Sequence, residues 1–162
     1  MSFRWKTALC MVCLVSLLFG AGSCALISLS FQTALAREEA AARASYDLLF
    51  RTLQMVESVE VWSGPQDAAQ AIAQLSAQGN QSWAALSLES DQKTFLTQGT
   101  IPEGFLDLSG LVDPSHYAQS AFSYQGRHYL QLSGQLEVQG EPLLLNVAYD
   151  ISSVYQTRQQ QQ

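Results

Sequence analysis

Residues 7–31, TALCMVCLVSLLFGAGSCALISLSF, run 25 positions without a charged side chain. A helix rises about 1.5 Å per residue, so this run exceeds the roughly 20 residues needed to cross a bilayer core. Gly20 and Gly22 fit the same reading, because glycine is common in membrane helices. The chain therefore reads as an anchor followed by one modest domain. Residues 1–6 form a cytoplasmic N-terminus, 7–31 a transmembrane helix, 32–61 a long membrane-proximal helix, 62–150 an α+β domain, and 151–162 a helix heading back to the membrane. Arg4 and Lys6 flank the apolar run on one side, while Glu38 and Glu39 offset Arg37 on the other. The positive-inside bias then leaves the main domain outside the cell membrane. A cleaved signal peptide is the competing reading, but its apolar region is typically about 7–15 residues. Gly20–Cys24 also resembles a lipoprotein cleavage box with Cys24 as the lipidated residue. That box lacks the usual leucine three residues before the cysteine, and the apolar run continues past it to Phe31.

Charge narrows the function classes. The chain carries net −6, and beyond the anchor 6 basic residues face 14 acidic ones. A nucleic-acid partner requires the opposite balance, and direct attraction to anionic lipid is disfavoured for the same reason. All three cysteines, Cys10, Cys13 and Cys24, lie in the apolar run. Cys10 and Cys13 make a lone CxxC without a second ligand pair, so they read as small apolar residues. The rest of the chain has no cysteine and no disulfide, which suits an extracytoplasmic bacterial domain better than a small secreted eukaryotic one.

From residue 32 to about 61 there is no glycine or proline, and strong helix formers dominate. Ala42, Tyr46, Leu49, Leu53 and Val56 recur at 4-3-4-3 spacing and line one stripe. That stripe packs on the chain's own sheet or forms a dimer seam near the membrane, and both can hold at different heights along the helix. Ser63-Gly64-Pro65 separates this helix from a second, with Pro65 at its first position and Asp67 in its first turn. Gly79-Asn80 stops it, and Asn80-Gln81-Ser82, though a glycosylation pattern, reads as a plain loop. Residues 83–88 and 93–97 read as strands around a turn at Ser90-Asp91-Gln92-Lys93. Residues 99–114, rich in Gly and Pro, read as a long packed loop with a short helical turn.

Residues 117–150 predict three strands joined by tight turns at Gln125-Gly126 and Gln139-Gly140. With two-residue loops, Phe122 faces Tyr129, Leu132 faces Val147 and Leu136 faces Leu143. One face then carries Leu130, Leu132, Leu136, Val138, Leu143, Leu145, Val147 and Tyr149, the expected core. The other carries Phe122, Tyr124, Arg127, Tyr129, Gln131, Ser133 and Asn146. A three-residue first loop would flip Phe122 and Tyr124. Asp150 caps a last helix in which Ile151, Val154, Tyr155 and Arg158 share one side.

This order of elements, with Arg4-Trp5-Lys6 leading into the anchor and Asp150-Ile151-Ser152-Ser153-Val154-Tyr155 followed by Arg158 leading out, resembles the extracytoplasmic sensor region of bacterial two-component histidine kinases. The type resembled is PAS-like or single-Cache. The resemblance implies a long helix on an antiparallel PAS/Cache-like sheet, a homodimer through the membrane-proximal helices, and a small-molecule or protein signal. It also implies a second membrane span, a HAMP linker and a kinase core beyond Gln162, and through that kinase a cytoplasmic response regulator. The phosphoaccepting histidine carries over to no residue here. The alternative reading is an anchored extracytoplasmic binding or interaction protein without signalling output.

No catalytic constellation is legible: HExxH, Gly-x-Ser-x-Gly, P-loop and GxGxxG patterns are all missing from the sequence. His116 and His128 read as loop or surface residues, no cofactor is expected, and a joint metal site with Asp113 would need three or four converging ligands. The mixed aromatic and polar sheet face is the expected ligand site, roofed by residues 83–88 or 99–114. Phe122, Tyr124, Arg127, Tyr129 and Asn146 are its candidate residues. The alternative is that these aromatics pair across strands for stability alone. Intact-mass measurement of the membrane fraction is expected to return the chain beginning at Met1; a mass starting at a lipidated Cys24 would overturn the anchor reading.

Overall fold

The computed structural model describes residues 3–59, 62–77, 83–99, 105–113 and 115–160. The expected helix stop at Gly79-Asn80, the Asn80-Gln81-Ser82 loop, and residues 60–61, 100–104, Pro114 and 161–162 lie outside the described residues. The fold is α+β. Helix α1 runs unbroken over Phe3–Val59, about 85 Å at the standard rise. Helix α2 follows at Pro65–Ala77. The strands are β1 at Ala85–Glu89, β2 at Thr94–Gly99, β3 at Ala118–Tyr124, β4 at Arg127–Val138 and β5 at Glu141–Asp150. Helix α3, Ser152–Gln160, ends the described chain.

All pairings in the five-stranded sheet are antiparallel, in the order β2-β1-β5-β4-β3. Both two-residue turns form as expected. Gln125 and Gly126 have φ of 48° and 76°, and Gln139 and Gly140 have 54° and 79°. Positive φ at both central positions is the twist that suits a tight hairpin. The register is accordingly Phe122 opposite Tyr129 and Leu136 opposite Leu143. The eight residues assigned to the core face are all buried.

Two helices cover that face. The stripe of α1 packs on it through Ala42, Tyr46, Leu49 and Leu53, all buried, with Val56 partly buried against the same core. Helix α2 adds Ala68, Ala69 and Ile72. Its first turn is fixed by Asp67, whose carboxylate accepts from the Ser63 hydroxyl at 2.8 Å and the Ser63 N–H at 2.7 Å. Those bonds, the hydroxyl's first, hold the Asp67 carboxyl below its usual range. The stripe is thus spent on the chain's own sheet.

Helix α1 meets the sheet backbone at Tyr46. Its hydroxyl donates to the Leu145 carbonyl at 3.1 Å, and burial pushes the phenol pKa up, which keeps it a neutral donor. Gly134, on the neighbouring strand, leaves the space the ring fills. A methyl group there would run into the Tyr46 hydroxyl. The helix is therefore keyed to one point of the sheet by a large residue over a missing side chain.

Residues 3–33 project away from the sheet, and their side chains are exposed apart from a partial covering at Ile27 and Phe31. By length and composition α1 contains a segment apolar enough to cross a membrane. Gly134→Ala is expected to cost about 1–3 kcal/mol through overpacking. Tyr46→Phe alone is expected to cost about 1 kcal/mol for the lost bond, but less in the Gly134→Ala background, where it removes the clashing oxygen. Urea unfolding of the wild type and the three variants measures this; additive losses would show that the two residues do not meet.

Candidate functional site

The second sheet face is polar because of how the strands are ordered. β2 and β3 lie at opposite edges, so the chain between them must cross the sheet. The helices occupy one face, and residues 105–112 pass over the other. This segment is irregular apart from a 3-10 turn at Ser109–Leu111, so its backbone groups need partners elsewhere. Gln131 supplies two of them. Its Oε1 accepts from Leu106 N–H at 2.8 Å, and its Nε2 donates to the Leu106 carbonyl at 2.8 Å. The side chain thus pairs with a backbone unit much as a strand would.

Gln131 belongs to a buried polar stripe running across three strands. Its Nε2 also donates to Ser133 Oγ at 3.0 Å, and Ser133 Oγ donates to Asn146 Oδ1. Asn146 Nδ2 lies 3.2 Å from Ser87 Oγ and 3.1 Å from Glu89 Oε1, donating to both. Ser87, Gln131, Ser133 and Asn146 are all at most 4% exposed. Burying such groups costs about 1–3 kcal/mol each unless they are bonded, and here they satisfy one another. The stripe emerges at Glu89, its one carboxylate.

Glu89 borders two depressions, each lined in part by the crossing segment. One, of about 480 Å³, is lined by Glu89, Asp91, Asp107, Ser109, Gln135 and Leu144 among others. The other, of about 310 Å³, lies between Ser87, Thr97, Gln98 and Phe105. Bonds from the Ser109 hydroxyl and N–H hold the Asp107 carboxyl below its usual range. With three carboxylates, the larger depression suits a ligand rich in N–H donors or positive charge.

The five expected site residues do not form one cluster. Asn146 lies at the centre of the stripe and is buried. Phe122 and Tyr129 stack with ring centroids 5.4 Å apart, the pairing expected of a stabilising cross-strand pair, with Tyr129 buried. Tyr124 is half-buried beside the hairpin turn, where Gln125 donates to its hydroxyl. Tyr129 is opposite Asp150 whereas Asn146 is opposite Ser133, a separation of about 13 Å along the strand. Arg127 points instead to the start of α3, ion-paired with Asp150 at 2.9 Å. The expected roof is half corrected: residues 105–112 cover this face, but residues 85–88 cannot, because they belong to β1 inside the sheet. Sequence reasoning passed over Ser87 and Glu89, although a serine between Leu86 and Leu88 in a buried strand is the signal that could have found them.

A second constellation joins the sheet to both helices. Only Ile151 separates β5 from α3. Ile151 N–H donates to the His128 carbonyl at 2.9 Å, and His128 N–H donates to Ser152 Oγ at 2.9 Å. Asp150 accepts from Ser152 N–H at 2.9 Å, capping α3. Partial burial raises the Asp150 carboxyl pKa, but Ser152 and Arg127 outweigh it and hold the group below its usual value. His128 does not merely sit at the surface: it is half-buried, its ring 3.7 Å from Tyr155 and nearly parallel to it. Tyr155 in turn meets Phe31 of α1 edge-on at 5.3 Å.

His116 is held elsewhere. Its Nδ1 lies 3.0 Å from Ser115 Oγ and 3.1 Å from Asp113 Oδ1. Ser115 and Asp113 share one ring nitrogen, so no relay runs through the imidazole as a catalytic triad requires. Bonds from Ser115, the hydroxyl's first, and from His116 hold Asp113 well below the usual carboxylate range. Among the described residues no group of three His, Cys, Asp or Glu side chains is placed to hold a metal ion. Comparison with known proteins finds no matching family model, no matching curated protein and no matching solved structure.

Replacing Gln131 by Met keeps the volume but removes both bonds to Leu106. The expected cost is about 1–3 kcal/mol, with faster hydrogen exchange at the Leu106 amide and little change in β4 and β5. Unchanged exchange at Leu106 would show that the crossing segment is held by its apolar contacts alone.

Proposed function

We propose that this chain is the sensing module of a bacterial two-component sensor histidine kinase, of the PAS-like or single-Cache type. In this reading α1 spans the cell membrane with the N-terminus in the cytoplasm and the sheet domain outside. The observation that carries the proposal is the course of β5. Its Asn146 joins the buried stripe beneath the crossing segment, and the adjacent Leu145 carbonyl takes the bond from Tyr46 of α1. The same strand then runs into α3 through one residue. A molecule that binds at the Glu89 depressions and favours one seating of the crossing segment therefore acts on a strand tied to both helices. It shifts the equilibrium only by the difference in its affinity for the two seatings.

The order β2-β1-β5-β4-β3, with a long N-terminal helix on one face, supports the PAS-like assignment. Packing between α1 and α3 supports a relay by small relative movement of two neighbouring rods. A homodimer through α1 would use its outward side, where Leu48 and Met55 are exposed, since the inward stripe is occupied. The response regulator would be reached only through a kinase region. An anchored binding protein without output shares the site but needs no coupling between it and the helices.

Spin labels at Arg37 and Gln159 in the chain reconstituted in vesicles distinguish the two. Any compound that slows hydrogen exchange across residues 105–112 is expected to change the distance between the labels. Compounds that give protection with an unchanged distance would count for the anchored binding protein.

A further inference from the structure

Strand β3 pairs with β4 only as far as Ser133. Beyond that point Gly134 borders a cavity of about 170 Å³, with Tyr46, Asp47 and Phe50 of α1 on one side and Asp113 and Tyr117 on the other. We infer that this cavity binds a small solute carrying a quaternary ammonium group. The inference goes beyond the sensing proposal and uses none of the Glu89 depressions. The volume is below the roughly 300–1,000 Å³ of pockets that enclose drug-sized ligands, so the occupant is small. Tyr46 lies about 22 Å beyond Phe31, the end of the apolar run, which favours a free solute over a lipid headgroup.

Three aromatic rings meet there. Tyr46 is buried and lies deepest, its ring centroid 6.2 Å from that of Phe50 and 5.6 Å from that of Tyr117. Phe50 is half-buried, and Tyr117, 43% exposed, stands at the rim. The Tyr117 ring is tilted 48° to that of Tyr46, so the group forms a concave corner rather than a flat stack. Aromatic faces attract cations, and groups of such rings are receptors for quaternary ammonium ions. Asp113 and Asp47 add negative charge while offering few open acceptor positions. Oδ1 of Asp113 already accepts from the Ser115 hydroxyl at 2.7 Å and from the N–H groups of Ser115 and His116, both at 2.8 Å. Its Oδ2 lies 3.2 Å from His116 Nδ1, and Asp47 Oδ2 is paired with Arg51 at 3.0 Å. Those bonds keep Asp113 ionised. A primary ammonium entering the cavity would give up hydrogen bonds to water and find few in return. A quaternary ammonium has no N–H to satisfy, so it gains the charge and the rings without that loss. No lysine or arginine is among the described residues that line the cavity.

The test titrates the full chain, held in micelles of a sugar-headgroup detergent, with three probes followed by saturation-transfer NMR. The probes are choline, its primary-amine counterpart ethanolamine, and the uncharged isostere of choline in which carbon replaces nitrogen. Choline is expected to bind more tightly than either of the others. Tyr117→Leu is expected to weaken choline binding about threefold or more, whereas Tyr117→Phe, which keeps the aromatic face, retains it. Asp113→Asn, which keeps an acceptor for the turn but removes the charge, is expected to weaken choline and leave the isostere unchanged. Equal binding of choline and the isostere would reduce the site to an apolar cavity and overturn the inference. Tighter binding of ethanolamine, no binding of choline, or choline binding in Tyr117→Leu equal to wild type would each overturn it as well. The ranking of the three probes on the wild type needs no variant, so the test stands even if a substitution disturbs the fold.

Discussion

The structure depends on one topological demand: the chain has to travel from one edge of the sheet to the other. With α1 and α2 packed on one face, the crossing from β2 to β3 is confined to the second. An irregular backbone laid across a sheet cannot pair with strands that already pair with one another. Its N–H and C=O groups must find side chains instead. Gln131 answers that demand for Leu106, and Ser133, Asn146 and Ser87 continue the bonding to Glu89. The polarity of this face is thus first a requirement of the fold. At Glu89, where the stripe reaches the two depressions, its polar capacity is open to something outside the chain.

Helix α1 imposes the complementary constraint. One continuous helix carries both the apolar run and the buried stripe, so any tilt or rotation of its lower part is felt at Tyr46. Packed interiors resist graded deformation and tend to switch between discrete arrangements. A tyrosine seated over Gly134 has few alternative positions, because the neighbouring residues of β4 carry side chains. On the other side, Ile151 is too short a connection to absorb a movement of β5 before it reaches α3. The same rigidity that holds the domain together makes its two helices mechanically dependent.

Much of this was legible in the residues. Glycine at the second position of each Gln-Gly pair set the hairpin length, and strict alternation in Leu130, Leu132, Leu136 and Val138 then determined which face is inside. The 4-3-4-3 spacing of Ala42 to Leu53 marked the packed side of α1. The illegible part lies in pairings between distant segments. Gln131 meets Leu106 twenty-five residues away, and no local pattern announces which backbone group a glutamine will serve. Residues 85–88 were open to being a roof because strand order, unlike strand identity, is decided by what packs where. Arg127 and His128 looked like hairpin-tip residues because their partners, Asp150 at the end of β5 and Tyr155 in α3, arrive more than twenty positions later.

The sheet order also governs how the domain can be made. β5 lies between β1 and β4, yet it is the last strand to leave the ribosome. Until it emerges, the nascent domain consists of two separate hairpins, each showing an unpaired edge and a row of leucines. Such edges readily recruit other chains. If α1 is already held in a membrane at that stage, each copy waits for its central strand at a fixed site rather than free in solution. Insertion would then protect the protein during the interval in which it is most prone to aggregate.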